Sequence, residues 1–242
     1  MTNSTIDEAQ RKAARVAGSA FLLAMAIVVL VNYGITFRLV IPGNAVETTQ
    51  NIMANETLFH ISVAGNLIYA TTVVVLLSAL YVILKPVNRN LALVATFCRL
   101  IYVFTWGVAA LYTLGALRLL GGAAYLPVFG ADQLQTLVML NLDTSLDAYY
   151  TGLPFWGLAS TINGYLLFRS RYVPRALAAF GVLSSAWCVI CAYAFISIPR
   201  FDTVVNANLF DVPMVIFELA LGLWLLLKGL RGPLRPTIRA DN

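Results

Sequence analysis

Six apolar runs of roughly 20 residues constrain this chain more than anything else in it. They cover approximately 16–37, 61–84, 91–117, 147–168, 176–198 and 211–228. A run of that length crosses the ~30 Å hydrocarbon core of a bilayer as a helix. In lipid every backbone N–H and C=O must be satisfied internally, which leaves only helices and closed barrels as spanning structures. The expected fold is therefore all-α: a polytopic transmembrane bundle of six spans, forming one domain over 1–242. Only 11% of the residues are charged, against about 25% in soluble domains, so little chain is left for a separate soluble domain. Arg11, Lys12 and Arg15 ahead of the first run resemble the n-region of a signal peptide. However, VAGSAFLLAMAIVVLVNYGITF is too long for an h-region and five more runs follow, which predicts a retained helix.

The basic residues orient this bundle. Arg11, Lys12 and Arg15 precede span one, and Lys85 and Arg89 lie between spans two and three. Arg169, Arg171 and Arg175 lie between spans four and five, and Lys228, Arg231, Arg235 and Arg239 follow span six. The opposite side has Arg38, Arg118 and Arg200 but collects Glu47, Glu56, Asp132, Asp143, Asp147, Asp202 and Asp211. The positive-inside bias predicts cytoplasmic N- and C-termini and an even number of spans. The net charge of +5 is spent punctuating the apolar runs. No basic face interleaved with aromatics remains, so nucleic acid is excluded as a partner and the lipid bilayer is expected instead.

Two outward connections are longer than a turn. IPGNAVETTQNIMANETLFH (41–60) offers Val46, Ile52, Met53 and Phe59 among polar residues, and GADQLQTLVMLNLDTSLDAYY (130–150) places Leu134, Leu137, Val138, Leu142 and Leu146 near helical spacing. Both are expected as amphipathic segments on the outer face, either packing as a short lid or lying over the bundle mouth. Each follows a glycine (Gly43, Gly130) and leads into a span, a basic proline-containing loop and a further span. LYVILKPVNRNLALVATFCRL and GYLLFRSRYVPRALAAFGVLS share that register, the pattern of a same-orientation repeat or of two similar topologies.

Ionisable groups inside the spans are costly, about 2.5–3.5 kcal/mol each for insertion at a helix centre. Arg99 lies roughly 12 Å into span three from the cytoplasmic end, and Glu218 roughly 15 Å into span six from the same face, at 1.5 Å per residue. Opposite charges at matching depth predict an ion pair between spans three and six, because either charge alone would be far costlier. Such a pair fixes helix register, or else Glu218 acts as an acid/base or polar anchor with Arg99 as its charge partner. Towards the outer ends, Asn32, Asn66, His60, Asp143, Asp147, Tyr149 and Tyr150 either line an outward vestibule or serve as caps and interfacial anchors. Asn66, Asp147, Tyr102 and Trp106 are the candidate ligand-binding residues.

Cys188 and Cys191 form a C-x-x-C, but in mid-span, where small apolar packing accounts for them better than redox chemistry. Cys98 is also within an apolar run, so no disulfide framework is implied. One histidine in the chain argues against a histidine-built metal or haem site, and no metal or cofactor is expected. The sequence has no G-x-x-x-x-G-K-[ST], G-x-S-x-G or H-E-x-x-H.

Five stretches, ARVAGSAFLL, IPGNAVETTQNIMANETLF, LKPVNRNLALVATFCRL, GYLLFRSRYVPRALA and FELALGLWLLLKG, carry a family likeness. In them the chain resembles the bacterial integral-membrane family known as domain of unknown function 4386. The resemblance covers most of the chain and implies a bacterial inner-membrane location, with Arg99 and Glu218 belonging to the family pattern. Where that pattern has a histidine before Asp147 and another after FWGL, this chain has Leu146 and Ala159, which sets aside histidine-based chemistry.

The resulting functional expectation is binding or translocation of a small lipophilic or weakly charged molecule in a pocket between helices. The alternative is a membrane-embedded enzyme, an acid/base isomerase or cyclase. In it Glu218 protonates a lipophilic substrate and Tyr102, Trp106, Phe155 and Trp156 stabilise a cation. A third reading is a structural or regulatory membrane subunit.

Overall fold

A computed structural model describes residues 6–121, 129–206 and 209–232; Arg235 and Arg239, assigned above to the cytoplasmic tail, lie outside the described residues. The described residues are all-helical, without strands. Helix α1 (Glu8–Val28) starts before its apolar run because Asp7 and Gln10 form a reciprocal capping box. The Gln10 amide, 3% exposed, also donates to the Ile83 carbonyl at 3.0 Å and the Tyr172 hydroxyl at 3.2 Å, tying that end of α1 to two other segments. The helix passes through a π-helical stretch, Val29–Thr36, before ending as α2 (Phe37–Leu39). The Thr36 hydroxyl bonds the Val31 carbonyl five residues back, which supports that wider winding.

Gly43, at φ +75°, turns the chain into α3 (Ala45–Ala54), which Asn44 caps through the Glu47 N–H. Helix α4 (Glu56–Leu84) follows after one residue, and Lys85–Asn88 returns the chain into α5 (Arg89–Leu120). Helix α6 (Ala131–Ser170) ends at Arg171 in the left-handed conformation. Helices α7 (Arg175–Ser197) and α8 (Val212–Leu227) complete the bundle.

Each long helix packs on its neighbour in sequence, α1 on α4, then α5, α6, α7 and α8, and α8 closes the ring against α1. Glycines permit the closest approaches: a Cβ on Gly18 would sit 2.6 Å from the Leu226 N, and one on Gly222 would sit 2.8 Å from the Phe21 Cβ. One core cluster joins Ala13 and Ala14 of α1 with Ile83 and Leu84, Ala92, Leu166 and Leu167, Ala178 and Leu225. The start of α1, the ends of α4, α6 and α8 and the starts of α5 and α7 therefore share one end of the bundle. The basic loops are at that end.

Four helices, Glu8–Leu39, Glu56–Leu84, Arg89–Leu120 and Arg175–Ser197, are long and apolar enough to cross a membrane by length and composition. Such helices mark a multi-pass membrane protein. The remaining two predicted spans fall on α6 and α8. Helix α8 is apolar but has only 16 residues. Helix α6 has 40, roughly 60 Å at 1.5 Å per residue, and mixes polar residues into its length.

Helix α6 also corrects the sequence reading. The segment 130–150 is not a separate amphipathic element on the outer face but the first half of this continuous helix. It has no glycine or proline before Gly152, and it gains a second helix to lean on. The Ser145 hydroxyl donates to the Ala109 carbonyl at 3.0 Å and meets the Thr113 hydroxyl at 3.0 Å, while Gly115 leaves room for Asn141. Of the other segment, 41–60, only α3 stands apart; Glu56 onwards already belongs to α4. Residues Ile52, Phe59, Leu117, Val138 and Leu142 pack as an outer core between α3, α4, α5 and α6.

Candidate functional site

Three helices deliver polar groups to one layer, about ten residues or roughly 15 Å from the basic end of each. Arg99 comes from α5, Trp156 and Ser160 from α6, and Glu218 from α8. The Arg99 Nη2 lies 2.7 Å from the Glu218 Oε1, so the ion pair predicted from depth is made across the ring of helices. The guanidinium-bearing side chain is 3% exposed and the carboxylate-bearing one 12%.

Two further donors converge on the same oxygen. The Trp156 indole N–H donates to the Glu218 Oε1 at 3.0 Å, and so does the Ser160 hydroxyl at 3.0 Å. Arg99 Nη2 also reaches the Ser160 Oγ, at 3.3 Å. One carboxylate oxygen thus receives three donors, while no group among the described residues bonds the Glu218 Oε2. The Arg99 Nε is buried without a hydrogen-bond partner among the described residues. The Arg99 Nε holds unused donor capacity where an unmade hydrogen bond is costly, and the Glu218 Oε2 holds unused acceptor capacity.

Aromatic rings extend from this layer towards the opposite end of the bundle. Tyr102 stacks on Trp156 at 5.7 Å and 16°, and its hydroxyl meets that of Tyr69 at 3.1 Å. Trp106 packs against Tyr69 at 4.6 Å and against Tyr149 at 5.7 Å. Tyr149 then contacts Tyr150, which contacts Phe195, and Phe195 holds Phe201 and Phe210 at 5.1 and 5.0 Å. At the far end the Tyr149 hydroxyl donates to the Asp211 Oδ2 at 3.4 Å.

Of the residues chosen from sequence, Arg99, Glu218, Tyr102 and Trp106 therefore lie in one connected assembly. Asp147 does not join them. It is exposed on α6 and makes no side-chain hydrogen bond among the described residues, because its azimuth on the helix points away from the ring. The acid that meets the aromatic column is Asp211, whereas the sequence reading places Asp147 among the candidates at the mouth. Asn66 lies on α4, half-buried, with a buried Oδ1 that has no partner among the described residues. His60 is exposed and pairs with Glu56 at 3.7 Å, one turn away. Cys188 and Cys191 are fully buried and unbridged, packed in the aromatic core.

Sequence reasoning missed Ser160 and the hydrogen-bonding role of Trp156. Their spacing of four on α6, at the depth of a charged layer, is the signal that points to them. Ser160 is the least bulky member of the layer, so its replacement tests the layer with little change in packing. Ser160→Ala is expected to cost about 1–2 kcal/mol, read by chemical denaturation in mixed micelles, since Arg99 and Glu218 each lose a partner. An unchanged midpoint would show that the hydroxyl contributes nothing to holding the pair.

A cavity of about 210 Å³, lined by Ile52, Met53, Glu56, Leu117 and Leu120, lies at the end of the bundle opposite the basic loops. No group of three or more metal-ligating side chains occurs among the described residues.

No curated protein and no solved structure matches the chain. A family model does match it, over residues 16–229, and its description is Domain of unknown function (DUF4386). Because the match runs from within α1 to the end of α8, with the charged layer and the aromatic column, the chain belongs to the DUF4386 family.

Proposed function

We propose that this is a six-span protein of a bacterial inner membrane, with both termini cytoplasmic, that binds or translocates a small lipophilic molecule between its helices. Residues 211–228 and the second half of α6 supply the two spans beyond the four long apolar helices. Clustering of Arg11, Lys12, Arg15, Lys85, Arg89, Arg169, Arg171, Arg175, Lys228 and Arg231 at one end supports the cytoplasmic assignment of that end.

The observation that carries the binding role is the partly used charged layer. Glu218 and Arg99 retain the Oε2 and the Nε for a further partner, next to apolar and aromatic walls. A polar group at the end of a lipophilic molecule matches that combination, with Tyr102 and Trp106 against its apolar part.

The test is a thermal-stability screen of the purified protein against lipophilic compounds with polar ends. Stabilisation by some of them, lost in Glu218→Gln, is the expected result. A screen in which Glu218→Gln responds as the native protein does would remove the layer from ligand binding. Reporter fusions in the 169–175 loop test the topology, and an external reporter signal there would invert it.

The enzyme reading draws on a separate contact, the stacked Tyr102 and Trp156 rings beside the Glu218 carboxyl, where a developing carbocation would meet π faces. Product formation from the stabilising compounds, abolished in Glu218→Gln, separates catalysis from binding.

A further inference from the structure

Asp211 stands directly before α8, where an aspartate ordinarily caps the helix by accepting from its first N–H groups. Here its side chain makes no cap hydrogen bond. It turns instead to the Tyr149 hydroxyl on α6, at 3.4 Å. The carboxylate is half-buried, and no arginine, lysine or histidine among the described residues pairs with it.

The positive end of the α8 dipole, worth about half a unit charge, offsets only part of this. Seven residues further along the same helix, Glu218 is already neutralised by Arg99. The column between them therefore holds a carboxylate with no cationic partner among the described residues, and beside it Tyr149, Tyr150, Phe195 and Phe210 pack on one another edge-on or tilted at 5.0–6.3 Å. An unpaired carboxylate among aromatic rings recognises one chemistry well, a cation whose charge is spread over an apolar body. The ring quadrupoles attract it, its hydration cost is small, and the carboxylate supplies the counter-charge.

We propose that the outer half of the aromatic column binds a lipophilic monocation, a substituted ammonium or similar onium ion, with Asp211 as its counter-ion. Phe201 and Phe210, which flank the connection between α7 and α8, pack on Phe195 at 5.1 and 5.0 Å and complete the apolar surround. This rests on the interhelical binding role proposed above and narrows it to a charge class. The second helical position is Pro213, which has no N–H for a cap to engage, and the Asp211 side chain reaches the Tyr149 hydroxyl instead.

Tetraphenylphosphonium and tetraphenylborate are nearly identical in size and shape and opposite in charge. Binding of each to the purified protein, by thermal stability and by intrinsic tryptophan fluorescence, tests the proposal. The phosphonium is expected to stabilise the native protein and the borate to have little effect. Asp211→Asn should weaken phosphonium binding by about ten-fold, the size of effect lost with one partly buried counter-charge. Tyr149→Phe, which keeps the ring and removes the hydroxyl that orients Asp211, should weaken it less. Asp147→Asn, an exposed acid on the same half of the molecule, should leave it unchanged.

Equal stabilisation by borate and phosphonium would overturn the proposal, as would undiminished phosphonium binding in Asp211→Asn. Neutral triphenylphosphine oxide separates the two readings. If it stabilises the protein and the phosphonium does not, the cation proposal fails and the interhelical pocket stands. If neither has an effect and the wider ligand screen is also negative, both fail. Should Asp211→Asn not fold, the native protein's preference between phosphonium and borate still decides the charge class.

Discussion

Arg99→Leu is expected to destabilise the protein by about 3–5 kcal/mol, measured by chemical denaturation in mixed micelles. The loss comes from what remains, not from the bond removed. Glu218 would keep only Trp156 and Ser160 on its Oε1, with no cation to offset a charge held inside the helical ring. Replacing both members of such a pair by apolar residues of similar volume is often neutral or stabilising. Arg99→Leu combined with Glu218→Leu is therefore expected to recover most of the stability lost in the single variant. A double-mutant cycle measures the coupling directly, and additive losses would mean that the pair at 2.7 Å contributes nothing as a pair. Full recovery of stability with loss of ligand response would assign the pair to binding. Loss of stability with retained response would assign it to helix register.

The second large effect is expected at the crossing of α1 and α8. Gly18→Leu and Gly222→Leu each place a branched side chain where even a Cβ lies 2.6–2.9 Å from the facing helix. The nearest atoms to Gly18 are the Leu226 N and the Gly222 O, backbone that does not rotate aside, so the helices themselves must separate. Overpacking of this kind costs about 1–3 kcal/mol, occasionally more. The consequence extends to the charged layer, because Glu218 is one turn from Gly222 on the helix that would be pushed outward. The thermal midpoint should fall, and any stabilisation by ligands at Glu218 should fall with it. Gly107→Ala is the matched control: no atom lies within 4 Å of a Cβ there, and alanine favours the helix. If Gly222→Leu proves as harmless as Gly107→Ala, the close crossing is not what positions α8.

The pairing of Arg99 with Glu218 is legible in the amino-acid sequence because depth is a one-dimensional quantity. Counting residues from a basic loop places each group along its own helix axis, and charge complementarity then selects the partner. Ser160 and Trp156 lie close to the same depth on α6 but carry no charge to announce them. A hydroxyl and an indole in an apolar run have many local uses, and a Ser hydroxyl in a helix commonly bonds its own backbone.

Asp147 and Asp211 show the complementary limit. Both stand near the outward end of a predicted span, and the two tyrosines that closely follow Asp147 make it the obvious vestibule residue on sequence grounds. Only azimuth separates them. Asp147 projects outward from α6 and is exposed, whereas Asp211 reaches Tyr149 across the bundle. In a soluble helix the polar stripe reveals which face is inward. In a span surrounded by lipid both faces are apolar, and that signal is lost. Continuity is a similar case: no residue pattern between 130 and 170 says whether the helix bends onto the membrane or runs straight. Lateral support from α5, through Ser145, Thr113 and Gly115, accompanies the straight course.

Composition and distance along the chain are enough to specify the solvent, the helical class, the end of the bundle that gathers positive charge and the depth of the buried pair. Which faces meet is a matter of tertiary packing: the three donors on one oxygen of Glu218, the aromatic column, and Asp211 in place of Asp147. Those depend on rotation about each helix axis and on the close approach of α1 and α8. Both are set by packing among all the helices at once, and no single span encodes them.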